Sequence, residues 1–201
     1  MLIAVMVILL IAVIGLGALI VTHLGHTSTN PTPAASATAR PTARPVTPAP
    51  AIAAPLVVAF TDPAGHFSAR FPVTPVRQTS AVPGTNGAVN SVVWESQASR
   101  SAQYLVEYTT YPPADTPTDA HAALDRTAQV VATGAGGTVI SEQFGTLQGL
   151  VRVDFIVSTQ GTFLDGRAVL GTNTLYIMAV SGVDDPPAGF DAFVNSVHIN
   201  P

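Results

Sequence analysis

Residues 2 to 21 read LIAVMVILLIAVIGLGALIV, twenty consecutive positions without one polar side chain. A helix of that length rises roughly 30 Å, the thickness of a bilayer's hydrocarbon core. A helix on the surface of a soluble protein needs a polar stripe, and this run has none. The run therefore predicts a membrane anchor over residues 1–23. A cleaved secretory peptide would carry a basic start and a shorter apolar core. Here no basic side chain precedes the run, and the small-residue triplet Ala35-Ser36-Ala37 lies well beyond its end. A retained single-pass anchor is the expected form. His23 and His26 leave the membrane three residues apart; two imidazoles without further ligands nearby read as headgroup-level polar residues, not as a metal site.

The next segment has a different composition. Between Thr27 and Pro55, 24 of 29 residues are Pro, Thr, Ala or Ser. Such a stretch cannot bury enough apolar surface to offset its ordering entropy, and its prolines favour extended geometry. Residues 24–55 are expected to form a disordered Pro/Thr/Ala-rich stalk. If fully polyproline II, it spans at most about 90 Å. Its only Asn-x-Thr triplet, Asn30-Pro31-Thr32, is blocked as a glycosylation acceptor by proline. Arg40 and Arg44 would by themselves weakly favour a cytoplasmic C-terminal side. A stalk of this composition beside a single anchor is typical of displayed domains, so the expected arrangement puts the C-terminal part outside the cell membrane.

Charge and cysteine usage narrow what the remainder, residues 56–201, can do. There are no cysteines, which excludes disulfides, thiolate metal sites, thiol nucleophiles and a lipidated cysteine. All eight basic side chains are Arg; six fall after residue 55, against all twelve acids, for a net charge near −6 in that part. An acidic domain without an Arg cluster is a poor match to a phosphate backbone, so no nucleic-acid partner is expected.

Strand and turn signals begin at FTDPAGHFSARFP, Phe60 to Pro72. Asp62-Pro63-Ala64-Gly65 reads as a turn. Phe67, Ala69 and Phe71 then alternate with polar residues as a half-buried strand that Pro72 and Pro75 end. Ala88–Ser96 and Ala102–Tyr111 form an expected hairpin. In its second strand Tyr104, Val106 and Tyr108 take one face, and Leu105, Glu107 and Thr109 the other. A helix should follow, with Thr116 as cap, Pro117 in its first turn and Asp119 completing an acidic capping box. Ala120, Ala123, Leu124, Thr127, Ala128 and Val131 share its apolar face, and Gly134 ends it. Four more strands are expected near Thr138–Phe144, Leu150–Thr159, Thr162–Leu170 and Thr174–Ser181. The last, apolar on both faces, should be central and covered on both sides. Phe190, Phe193, Val194 and Val197 have helical spacing, and the chain closes on a short VHIN strand. The pattern predicts an α+β fold in which a central antiparallel sheet is sandwiched by helices.

The turn into FS-x-x-FP, the capped helix with ALD, the GG-x-VISEQ segment, the LY strand core and the closing FDAFVNSVHI resemble PsbP/Mog1-like domains, in particular membrane-anchored bacterial members. The resemblance covers most of Phe60 to Ile199. It implies a central antiparallel sheet between helices. The positions that match, Phe67, Phe71, Pro72, Leu124, Tyr176 and Phe193, are packing residues. Two members, a photosystem accessory subunit and a binder of a small GTPase, are binders, so the resemblance implies binding over catalysis. Neither partner surface is matched by residues of this chain.

His66, in the strand-entry turn, reads as a turn residue without a marked catalytic partner. His121 and Asp125 lie one helical turn apart and could orient each other, but share the polar helix face with Gln129. Asp184 and Asp185 could hold a cation; ahead of a helix they read better as capping carboxylates. His198 reads as a strand residue. The Gly-rich TGAGGT, Thr133 to Thr138, runs from helix to strand, opposite to a phosphate cradle. No nucleophile elbow, P-loop, HExxH or EF-hand loop is present. No catalytic, cofactor-binding or metal residue is assigned on this basis. The leading expectation is a non-enzymatic interaction or accessory module of a bacterial cell envelope, anchored in the lipid bilayer and meeting an envelope protein partner. The alternatives are a small-ligand or cation-binding module and, further off, a hydrolase built from scattered Ser, His and Asp.

Overall fold

The computed structural model describes residues 53–84, 87–99, 102–183 and 187–200. The expected anchor and nearly all of the expected stalk lie outside the described residues. Among the described residues no helix is long and apolar enough to cross a membrane.

Among the described residues ten strands and two α-helices follow in the order β1 (Val58–Thr61), β2 (Phe67–Phe71), β3 (Val76–Gly84), β4 (Gly87–Ser99), β5 (Ala102–Thr110), α1 (Ala120–Gly134), β6 (Thr138–Leu147), β7 (Leu150–Ser158), β8 (Phe163–Leu170), β9 (Thr174–Gly182), α2 (Phe190–Ser196) and β10 (His198–Ile199). They form a seven-stranded sheet ordered β3-β4-β5-β9-β8-β7-β6 and a three-stranded sheet ordered β1-β2-β10. Every pairing in both is antiparallel.

The central strand is β9, as its two apolar faces predict. It sits fourth of seven, and Leu175, Ile177 and Ala179 serve one core while Tyr176, Met178 and Val180 serve the other. The first core packs under α1, whose Leu124, Thr127, Ala128, Val131 and Ala132 are buried. Each fully buried Leu or Val side chain there contributes roughly 1.5–3 kcal/mol. The second core lies beneath the small sheet and α2, where Phe67, Phe71 and Phe193 are fully buried against Tyr104, Val106 and Met178.

This departs from the expected sandwich in one respect. A helix covers one face of the central sheet, but the other is covered by a three-stranded sheet together with the short α2. Of the strands responsible, β1 pairs with its sequence neighbour β2, whereas the two-residue β10 reaches β2 from the far end of the domain, with Ile199 opposite Phe67. Short strands with long-range pairing leave little periodic signal.

The start of α1 also differs. The cap is Asp119, whose Oδ1 accepts the Ala122 N–H at 3.0 Å, so the helix begins at Ala120 and not at Pro117. Thr116 is engaged elsewhere: its hydroxyl donates to the Pro112 carbonyl at 3.2 Å, over the 3-10 turn Pro113–Asp115. At the other end the helix runs through Gly134, and Gly136, at φ +67°, turns the chain into β6. The TGAGGT segment is thus a helix-to-strand connector. The strand β3 was not expected, since Pro75 and Pro83 flank or interrupt a mostly exposed edge segment.

Candidate functional site

The stretch from Asp62 to Phe67 builds a polar cluster linking the two sheets. Asp62 begins the expected turn, with its carbonyl accepting the Gly65 N–H at 2.8 Å and its own N–H donating to the Phe67 carbonyl at 2.9 Å. Its side chain was not singled out by the sequence, yet it is 97% removed from solvent, with only 3% exposed. Oδ2 accepts the His66 backbone N–H at 3.2 Å, and Oδ1 accepts the Trp94 indole N–H at 3.0 Å from the central sheet. The Tyr108 hydroxyl is a third partner. Burial chiefly raises the Tyr108 pKa, and the Asp62 carboxylate adds to it.

His66 does not form an imidazole–carboxylate pair in this cluster. Asp62 holds its backbone N–H, while its ring lies on Tyr108 with centroids 4.2 Å apart. Asn200 completes the clamp: its N–H donates to the His66 carbonyl at 2.9 Å and its amide to the Gly65 carbonyl at 2.8 Å. Tyr176 in turn donates to the Asn200 carbonyl at 3.2 Å. Beside the cluster lies an open groove of about 430 Å³, lined by Asn90, Val92, Tyr108, Thr110 and Tyr111.

On the opposite face of the same strand, Glu107 is 8% exposed within the core under α1. The Ser91 hydroxyl donates to its Oε1 at 2.5 Å. Burial pushes the Glu107 pKa up, and the serine bond opposes that only in part. Nearby Tyr111 is also shifted upward, first by burial and then by the charge of Glu107. The sequence placed Glu107 on the correct face but gave no sign that this face is covered.

A third cluster lies on β7 and β8, on the side of α2. Asp154 accepts Nε and Nη2 of Arg167 at 2.6 and 3.1 Å, the forked geometry that guanidinium and carboxylate favour, and also pairs with Arg152. Arg152 lies over Gly145 and donates its Nε to the Thr146 carbonyl at 3.1 Å. Burial lowers the Arg167 pKa; Asp191 of α2 and Asp165 oppose that shift, so the helix is tied electrostatically to the sheet.

The remaining sequence candidates are dispersed. His121 stacks on Phe144 of β6 at 4.7 Å, and Asp125 hydrogen-bonds Glu142 of the same strand, so the helical pair faces β6. His198 is an exposed β10 residue opposite Ser68, in contact with Gln148 of the β6–β7 turn. Asp184 and Asp185 lie outside the described residues, as do His23 and His26. Among the described residues no group of three or more His, Cys, Asp or Glu side chains is arranged to hold a metal ion.

The architecture defines a class: an α+β domain whose antiparallel sheet lies between one long helix and a small sheet-and-helix layer. Among solved structures it is similar to cyanobacterial PsbP (CyanoP) from Synechocystis sp. PCC 6803, with a TM-score of 0.51 at 16% identity, over 71% of this chain and 92% of that one. The domain therefore has a PsbP-like fold. No family model and no curated protein matches the sequence.

Proposed function

We propose that this chain is a non-enzymatic interaction module, held at the outer side of a bacterial cell membrane by residues 1–23 and displayed on the stalk of residues 24–55. The observation that carries the reading is how the buried ionisable groups are engaged. Asp62 bridges the two sheets, Glu107 is bonded to Ser91 inside a core, and Asp154 gathers two arginines. Each is used to hold layers together, and a group so engaged is poorly placed to exchange protons with a substrate. The PsbP-like fold supports an accessory role at the level of architecture. The unbroken apolar run from Leu2 to Val21 supports the anchor.

Fractionation of bacteria producing the full chain tests this placement. The chain should stay with membranes through alkaline carbonate extraction. Protease added outside spheroplasts should release the domain. Extraction into the soluble fraction, or protection from external protease, would contradict the anchor or its orientation respectively. The groove beside Tyr108 favours a second reading, a small-ligand module. Saturable binding of a small metabolite, abolished by a Thr110→Arg substitution, would favour that reading instead.

A further inference from the structure

The two edges of the central sheet differ in what they offer a partner. An edge strand presents a row of backbone N–H and C=O groups, and proteins usually blunt it with basic residues or proline. The edge strand β3 carries Arg77 and Pro83. The other edge, β6, runs ten residues, TVISEQFGTL, without proline or a basic side chain. It exposes two large apolar side chains, Ile140 at 52% and Phe144 at 39%. Its irregularity is confined to one bulge between Val139 and Ser141, after which the pairing with β7 is regular to Leu147.

On its α1 side this edge is acidic, whereas on the other side Arg152 lies over Gly145 and bonds the Thr146 carbonyl. Glu142 and Phe144 stand opposite buried Phe155 and Val153, so both project toward the α1 side. There Asp125 of α1 hydrogen-bonds Glu142, and burial together with that neighbouring charge raises the Glu142 pKa. One turn earlier, His121 lies on the Phe144 ring. A residue directly opposite Glu142 on an added strand would stand about 5 Å away between Cβ atoms, within reach of both carboxylates. A residue two positions along would meet Phe144. A second copy of this chain is a poor occupant, because pairing β6 with itself over most of its length brings a second Asp125–Glu142 pair to the same seam.

We propose that the outer edge of β6 accepts an extended segment of a partner protein as an eighth strand, with Arg or Lys opposite Glu142 and an apolar side chain opposite Phe144. Main-chain hydrogen bonds supply the attachment, and the carboxylate pair and the ring supply selectivity. This rests on the interaction-module reading and names the surface and the chemistry it selects.

The test uses the full chain in detergent and a fluorescein-labelled peptide, Val-Thr-Val-Thr-Arg-Thr-Val-Thr-Val, blocked at its C-terminus. Anisotropy should rise saturably with protein concentration. The same peptide with Glu for Arg should bind about fivefold to tenfold more weakly. Glu142→Arg should reverse that preference, and Phe144→Lys should weaken both peptides. Thr79→Arg on β3 should change nothing. Trp94 emission confirms that each variant is folded. Absence of saturable binding, equal affinity for the two peptides, or an unchanged preference in Glu142→Arg would overturn the proposal. If a cellular partner is captured equally by wild type and Phe144→Lys, the edge assignment fails while the interaction-module reading stands.

Discussion

The Trp94 indole N–H donates to Asp62 Oδ1 at 3.0 Å, joining the central sheet to the β1–β2 turn of the small sheet, across 32 residues of sequence. Removing the acceptor leaves buried donors unmatched. Asp62→Ala should lower stability by about 2–4 kcal/mol, the cost of orphaning several buried hydrogen-bonding groups. Asp62→Asn, which keeps one acceptor oxygen, should lose less. Urea unfolding followed through Trp94, the chain's single tryptophan, gives both values. Equal stability of Asp62→Ala and wild type would show that the turn is not a structural clamp.

The buried Glu107 gives a pH dependence with a definite sign. Its folded pKa is raised by burial, so the folded state holds this proton more tightly than the unfolded chain. Its contribution is therefore greatest below the ordinary carboxylate range. It is lost as pH rises from the unfolded pKa through the raised folded value. Glu107→Gln keeps an acceptor for Ser91 and removes the ionisation. At neutral pH it should be more stable than wild type by on the order of 1 kcal/mol, a difference that shrinks toward pH 4. Denaturant titrations at several pH values measure it; a gap that widens on acidification would contradict the account.

Gly166 is required by its cross-strand neighbour. A Cβ added there would stand 2.4 Å from Cζ of Phe155, which is itself 1% exposed. Gly166→Ala should cost about 1–3 kcal/mol as an overpacked core site. Combining it with Phe155→Leu should cost less than the sum of the two single changes. Thermal unfolding of the four proteins checks this, and strict additivity would count against it.

What the sequence showed, and what it concealed, divides along physical lines. Period-two alternation exposed Phe67–Phe71, and the doubly apolar run exposed β9, because burial acts there on neighbouring residues. The core face of α1 was legible from Leu124, Ala128 and Val131 for the same reason. Its cap was misplaced because Thr116 and Asp119 are both good capping residues. The choice was made by the bond from Thr116 to Pro112 and the 3-10 turn it accompanies. Asp62 looked like a local turn residue; its main partners, Trp94 and Tyr108, are chosen by the meeting of two sheets. For Glu107 the alternation gave only a strand face shared with Leu105 and Thr109. That face joins the core shared by Val93, Leu105, Tyr111 and the buried side of α1, contacts that the strand's own sequence does not reveal. The exposed edge of β6 had no signature of its own, since an edge is defined by strand order and not by composition.

Photo-cross-linking in intact cells tests the central claim most directly. A photoreactive residue is placed in the full chain at Gln143 on the β6 edge, and separately at Thr79 on the β3 edge. Interaction through this domain predicts a discrete adduct in the envelope fraction from position 143, at a mass above that of the chain, and little from position 79. Failure of every surface position to yield an adduct, with the purified chain instead turning over a substrate, would contradict it.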